Sequence, residues 1–398
     1  MKERNNSELY NKRYNELQNL WENIKQFKQL CIYSAGNRAK ELIQMQKIGF
    51  LKLQKPSCFF VTGMQGNREC VDNPEYIDDI PVYVLNEHRK VIDRLGLIPE
   101  QTAVLVVAME HYHQEITESL KQTPFKNIFY LTDIMERILI ADCMEYYYQE
   151  LGMDFQMTEM CDKDRNDFVN KSEKTSAMTY MVQCAQDVKL TETRKEREWI
   201  TPLQAGAALT DVRVANVTDA DGDNISEKNP YYNEMTGLYW LWKNTNLDYS
   251  GICHYRRQFE SDVVWKYLWE DKADVILPTP ALVYPDLAGY YLNWGEKAYY
   301  EMMLQVVKEK YFEYYETALW CAKHPIFYPN NIFIAKREIL EDYCKFAFSV
   351  IDEVEERMKT YEGAKQKRCW LSEHVTTIYF MKHYKDYRVV FSNLKRYW

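Results

Sequence analysis

Apolar residues return every three or four positions at the start of the chain: Leu9, Tyr10, Tyr14, Leu17, Trp21, Ile24 and Phe27. That spacing predicts an amphipathic helix with one face on a core. The rhythm then changes. Short apolar runs at 30–34, 57–62, 103–108 and 127–131 are separated by helix-length segments. Such alternation predicts parallel βαβ units in a doubly wound sheet. Between 141 and 175 nine acidic residues stand against four basic ones, and 161–175 is almost wholly polar. A segment without apolar periodicity cannot cover a core, so 141–177 reads as a helical, acidic linker. A second alternation follows from 178. Pro230 at a first helical position, capped by Asn229, predicts a helix over 230–243. Strands are expected at 249–255, 275–277 and 331–335, and long helices at 338–361 and 371–383. The fold class is therefore α/β, with a Rossmann-like parallel-sheet domain over 1–140 and a second α/β domain over 178–398.

Composition narrows the function classes. The 398 residues hold 50 basic and 59 acidic side chains, a net charge of −9 with no long basic stretch, which argues against nucleic acid as a partner. No apolar run reaches the ~20 residues that span a bilayer, and the first ten residues carry no signal-peptide core. The 10 cysteines show no Cys-x-x-Cys and no framework spacing, which fits reduced thiols and a cytoplasmic protein. Tyrosine is abundant at 32 residues; most belong in cores, but an apolar face with a hydroxyl tip also suits sugars.

Five places carry candidate chemistry. Residues 31–39 read as strand, tight turn and helix start, with Gly36 and Asn37 where backbone N–H groups meet a phosphate. The dinucleotide fingerprint keeps only one of its glycines there, so an empty structural loop is the alternative. His111 and His113 are spaced as metal ligands but have no evident third partner. Asp219, Asp221 and Asp223 lie within five residues. Asn224 and Pro230 stand where a calcium loop needs Gly and Glu, which excludes an EF-hand. Asp221 and Asp223 remain candidate ligands for Mg2+ or Mn2+ on a diphosphate, or a solvated acidic turn. His254, Tyr255, Arg256 and Arg257 end a strand, and alternation puts His254 and Arg256 on one side with Tyr255 and Arg257 on the other. Guanidinium groups at a buried strand's carboxyl end need anions, either a diphosphate or nearby carboxylates. Glu234, amid the aromatic surface of the 230–243 helix, needs a partner of its own, and an arginine is the obvious one.

The segments 201–207, 222–226, 228–229, 234–240, 242–244 and 251–257, then 331–334, 343–344 and 372–373, resemble in that order a bacterial domain family. It occurs in capsular, exopolysaccharide and lipopolysaccharide biosynthesis and was long catalogued as a domain of unknown function. Its members are regarded as glycosyltransferases, with galactofuranosyl transfer among the suggested activities. The resemblance covers about 178–398 and implies a GT-A-like nucleotide-sugar-binding domain. It implies donor contacts from Gln204, Gly206, Asn224, Ser226, Asn229, Glu234, His254, Tyr255, Arg256, Arg257 and Asn331. Glu373, Asp223 and His254 become the catalytic candidates, Glu373 as the base for an acceptor hydroxyl. Glu373 also starts a helix, where an acid complements the dipole. The chain departs from the pattern at 183–187, where a His-Lys pair is expected, and is loose around 367–371.

The expectation is a transferase moving a sugar, a hexose such as galactofuranose, from a nucleoside-diphosphate donor, UDP-linked, to a lipid-linked cell-surface glycan precursor. A non-catalytic nucleotide- or carbohydrate-binding subunit of a polysaccharide assembly complex is the alternative. An epimerase or dehydrogenase using the first domain lacks its glycines and its ribose-binding acid. Residues 380–398 hold Lys382, Lys385, Arg388, Lys395 and Arg396 against Asp386, with Phe380, Tyr384, Tyr387, Phe391, Tyr397 and Trp398. Basic and aromatic residues together predict contact with an anionic membrane face, or simply a last helix and strand packed on the domain.

Overall fold

The computed structural model describes residues 8–63, 74–158, 176–360 and 371–397. The chain divides into two compact units, one of 5–153 with 282–285, the other of 154–281 with 286–398.

In the first unit the helix Glu8–Ile24 precedes β1 (Gln29–Tyr33), β2 (Cys58–Val61), β3 (Glu75–Ile77), β4 (Ile80–Val84), β5 (Thr102–Val106) and β6 (Asn127–Tyr130). The sheet order is β3-β4-β2-β1-β5-β6, parallel throughout except for β3. Order reverses between β1 and β5, the switch point of a doubly wound sheet. Its strands bury Cys31, Phe60, Val104 and Val106 in one core. The β3–β4 hairpin has no counterpart among the apolar runs. Asp78, at φ 60°, turns the chain, and Pro81 pairs with Tyr76 on the edge strand. Residues 141–150, expected in the linker, are the second half of the helix Asp133–Glu150, which buries Cys143, Met144 and Tyr148. The polar part of that linker, 159–175, lies outside the described residues.

The second unit contains β7 (Ala177–Gln183), β8 (Ile200–Gln204), β9 (Val217–Thr218), β10 (Tyr249–His254), β11 (Arg257–Phe259), β12 (Val275–Pro278), the Ala281 half of the two-residue β13 (Ala281–Leu282), β14 (Ile326–Phe327), β15 (Phe333–Lys336), β16 (Val389–Ser392) and β17 (Leu394–Arg396). The main sheet runs β16-β12-β15-β10-β7-β8-β9, with β15 antiparallel to both neighbours and the other pairs parallel. The sheet is thus mixed, within an α/β unit. Gly251 in mid-β10 allows the close approach of β15: a Cβ there would lie 1.7 Å from the Phe333 carbonyl oxygen. The long helix Arg337–Met358 and the helix Leu371–Lys382 seal the sheet with stacked rings, Tyr343 against Phe380 and Phe333 edge-on to both. Much of the tyrosine is therefore core.

Two local readings are corrected. The expected 230–243 helix is two helices, Asn229–Tyr232 and Met235–Asn244, broken at Asn233 with φ 49°. The break sets Glu234 at the mouth of the second helix rather than along its flank. The strand into Arg257 also breaks, because Tyr255 and Arg256 form a two-residue turn and Arg257 pairs back with His254. Arg256 and Arg257 therefore do not follow strand alternation.

The C-terminal aromatics do not face out. Phe380, Tyr384, Phe391 and Tyr397 are buried, Arg388 pairs with Asp271 and Asp274, and Trp398 lies outside the described residues. Among the described residues no helix is long and apolar enough to cross a membrane.

Candidate functional site

The carboxyl end of β10 delivers His254 and then, through the turn, Arg256 and Arg257. The start of β15 lies beside it, because the two strands are antiparallel, and is preceded by Asn330 and Asn331. Both asparagines have left-handed backbones, φ 69° and 52°, a region Asn enters more easily than most residues. That conformation turns their amides toward two acids. The Asn330 backbone N–H and side-chain amide donate to Glu373 Oε1 at 2.5 and 3.1 Å. The Asn331 side chain donates to Glu234 Oε1 at 2.7 Å and to Ser372 Oγ at 2.9 Å. Thr376 Oγ1 meets Asn331 Oδ1 at 2.7 Å, and Tyr343 closes the chain on Thr376. Asn331 is wholly buried, so each of these bonds counts toward holding the two acids in place.

The electrostatics follow from this enclosure. Burial, reinforced by Glu234, pushes the Glu373 carboxyl up to about 7; the Asn330 bonds and Arg257 oppose it. Burial also raises Glu234, against the Asn331 bond and Arg257. Burial and then Arg256 pull the Arg257 guanidinium below its ordinary value. Both arginines sit in the field of acids, Arg257 by Glu373 and Glu234, Arg256 by Asp187. Neither makes a salt bridge among the described residues. Among the described residues the second unit therefore holds two adjacent guanidinium groups that no carboxylate meets directly, Arg256 lying over the Tyr255 ring at 5.2 Å from its centroid. Burial, with Arg257 and Arg256, lowers His254 to about 3, so the imidazole is neutral at ordinary pH and a poor base.

Several sequence candidates are engaged elsewhere. Gln204 bridges Val212 and Val214 of its own loop. Gly206, at φ 67°, and Ala207 donate to the buried carboxylate of Asp219, which Ser226 also bonds. A Cβ on Gly206 would meet Asn229, whose amide bonds Asn233 and Thr236. This knot shapes the loop after β8, and Asp219, in the sequence only one carboxylate of a run, is the knot's acceptor. Asp221 accepts from Thr218, Asp223 accepts from Tyr239, and Asn224 bonds the Ala220 and Gly222 carbonyls. Among the described residues no three of His, Cys, Asp and Glu come together as a metal set. Asp221 and Asp223 gain no third ligand, so no step is routed through Mg2+ or Mn2+. The departure at 183–187 has a structural content: Asp187 accepts from the Cys184 backbone at the end of β7 and faces Arg256.

The other candidates lie in the first unit. Gly36 begins the helix Asn37–Lys47 without a side-chain cap, and Ser34 holds φ 110°. Arg38, the second residue of that helix, pairs with Asp133 at 2.8 Å and with Glu136, and bonds the Ala108 carbonyl. His113 bonds the same Ala108 carbonyl at 2.9 Å and His111 lies against the Tyr112 ring.

Residues 184–384, just over half the chain, match the family described as Domain of unknown function (DUF4422). The chain belongs to this family. The match takes in Glu234, His254, Arg256, Arg257, Asn331 and Glu373. No curated protein matches. A solved structure described as apo WbbM, a bifunctional glycosyltransferase, is similar over 56% of this chain and 45% of that one, at 23% identity and a TM-score of 0.47. The chain thus spans less than half the length of that protein.

Proposed function

We propose that the second unit is a glycosyltransferase. It moves a sugar, a hexose such as galactofuranose, from a nucleoside-diphosphate donor, UDP-linked, to a lipid-linked precursor of a cell-surface polysaccharide. One observation carries the reading: two guanidinium groups without salt bridges stand at the carboxyl edge of an α/β sheet, beside a buried carboxyl held near neutrality. A departing nucleoside diphosphate is the anion that suits them, since bidentate bonds from Arg256 and Arg257 neutralise charge as the glycosidic bond breaks. Glu373 takes the proton of the acceptor hydroxyl, a task suited to a group titrating near the working pH. Glu234 and Asn331 set the geometry around it. Transfer between a cytoplasmic donor and a lipid-linked acceptor gives the protein its place in this reading, at the inner face of the membrane.

The test is nucleotide release. Purified protein with a panel of UDP-hexoses should free UDP slowly without acceptor and faster with a lipid-linked glycan. A protein that binds nucleotide sugars but releases no nucleotide, with acceptor or without, is a binding subunit instead.

A further inference from the structure

The loop after β8 is tied to the fold on both sides of its tip. Gln204, wholly buried, donates to the Val212 carbonyl at 2.7 Å and accepts from the Val214 N–H at 2.9 Å. Gln183, at the end of β7, donates to the Val214 carbonyl at 2.8 Å. Thr210 Oγ1 accepts from the Val212 N–H at 3.1 Å, and the Ala208 N–H donates to Ser226 Oγ at 3.0 Å. With these backbone groups met by the fold, the loop is held in place. Yet the side chains it shows to solvent are apolar: Leu209, Val212 and Val214 are 51, 56 and 40% exposed. The loop after β7 adds Val188, 71% exposed, just past the tight turn that Asp187 closes on Cys184.

Position gives these residues their meaning. β10, β7 and β8 are consecutive parallel neighbours, so the loops after them leave the sheet at the same edge as Arg256 and Arg257. Asp187, one residue before Val188, faces Arg256. Contiguous exposed apolar residues mark a protein or a membrane contact. Composition decides between the two. Surfaces that hold proteins draw their affinity from Trp, Tyr and Arg and seldom from Leu or Val. Aliphatic side chains with cations beside them suit the boundary between lipid headgroups and acyl chains. Lys189 follows Val188 and Arg213 stands between Val212 and Val214, both exposed, with Asp211 the exposed acid between Leu209 and Val212.

We propose that the loops 184–189 and 207–216 seat the carboxyl edge of the second sheet on a lipid bilayer, with Val188, Leu209, Val212 and Val214 entering the headgroup layer. The purpose of the contact rests on the transferase reading: a bilayer-held acceptor then reaches the edge where Arg256, Arg257 and Glu373 stand. The contact itself rests on the exposed side chains.

Co-sedimentation with vesicles of phosphatidylethanolamine and phosphatidylglycerol tests this. It compares the parent, a Leu209→Ser/Val212→Ser/Val214→Ser variant and Phe312→Ser, which removes a ring 68% exposed on the helix Phe312–Ala322. The parent and Phe312→Ser should bind alike. The triple variant should bind ~30-fold more weakly or worse, as loss of three aliphatic anchors implies, with an unchanged thermal melt that separates lost binding from lost fold. No binding by the parent, equal binding by the triple variant, or loss with Phe312→Ser instead overturns the proposal. A parent that stays off vesicles but forms a dimer the triple variant does not form assigns the patch to a second copy, and overturns it too. Transfer separates this claim from the reading beneath it. The triple variant should be slow on a lipid-linked acceptor held in vesicles and as fast as the parent on a short-chain, water-soluble one. A parent that binds vesicles through these loops yet transfers sugar to neither acceptor overturns the transferase reading and leaves the bilayer contact standing.

Discussion

At the carboxyl edge of the first sheet, Arg38 donates to Asp133, Glu136 and the Ala108 carbonyl, and its charge is spent within the fold. At the carboxyl edge of the second, Arg257 stands near Glu234 and Glu373 without bonding either, because Asn330 and Asn331 have taken up those carboxylates. Both sites combine an arginine, buried acids and a strand end. Burial pushes Glu41, near Arg38, up to about 8 and Glu136 to about 7, as it does Glu373. What differs is the pairing. A direct pair closes a site, whereas acids held by neutral amides leave the cation for something else. Where Gly36 and Arg38 resemble a phosphate loop, the loop's cation is already answered.

The comparison breaks most visibly at Glu373. Glu373→Gln keeps an oxygen for the Asn330 bonds and removes the base, so turnover should drop ~10²–10⁴-fold with donor affinity nearly unchanged. A fully active variant would reduce Glu373 to a helix-start acid. The same substitution should raise stability at pH 8. A carboxyl lifted from 4.5 to about 7 binds more protons folded than unfolded, so its contribution is intact below pH 4.5 and lost as pH rises through 7. Chemical denaturation at pH 4 and pH 8 should show the parent losing more than the Gln variant over that interval.

Stability should separate the two arginines next. Arg38→Met leaves Asp133 and Glu136 unpaired, one of them deeply enclosed, and should cost ~3–5 kcal/mol. Arg257→Met removes a buried cation that bonds no acid and should change stability by less than ~1 kcal/mol. Equal losses in urea would mean that Arg257 is a structural pair after all.

The smallest effect sharpens the role of Glu234. Glu234→Gln keeps the Asn331 bond to its oxygen but removes the charge that, after burial, raises Glu373. The acid limb of the rate profile, expected near pH 7, should move to lower pH by ~1 unit, equivalent to ~1.4 kcal/mol. An unmoved limb would assign it to another group.

The parts legible in the chain are those set by local pattern. The apolar runs place β1, β2, β5 and β6 to within a residue or two, and the long helices Arg337–Met358 and Leu371–Lys382 fall where periodicity puts them. Gly251 sits in an apolar strand for a reason that only the pairing with β15 exposes. Breaks were hidden where the breaking residue also has an innocent use. Asn233 reads as an ordinary helix residue behind a good Pro230 start, yet its left-handed φ divides the helix and turns Glu234 inward. Tyr255 and Arg256 carry none of the Gly or Asn that announces a two-residue turn. Asn330 and Asn331 look like a polar lead into a strand, and their grip on two acids depends on contacts across the chain. The short β3–β4 hairpin was masked by Pro81, which usually argues against a strand. The aromatics of 380–398 look interfacial as a list, yet Phe380, Tyr384, Phe391 and Tyr397 are core once β16 lies beside β12.

Titration calorimetry with UDP at pH 7.5 tests the central claim most directly, on the parent, Arg257→Met, Arg256→Ala and Arg38→Met proteins. Arg256→Ala and Arg257→Met should each weaken binding by ~1.5–3 kcal/mol, the worth of hydrogen bonds to a charged group. Arg38→Met should bind as the parent does. UDP bound equally well by all four proteins, or lost only in the Arg38 variant, would contradict the account.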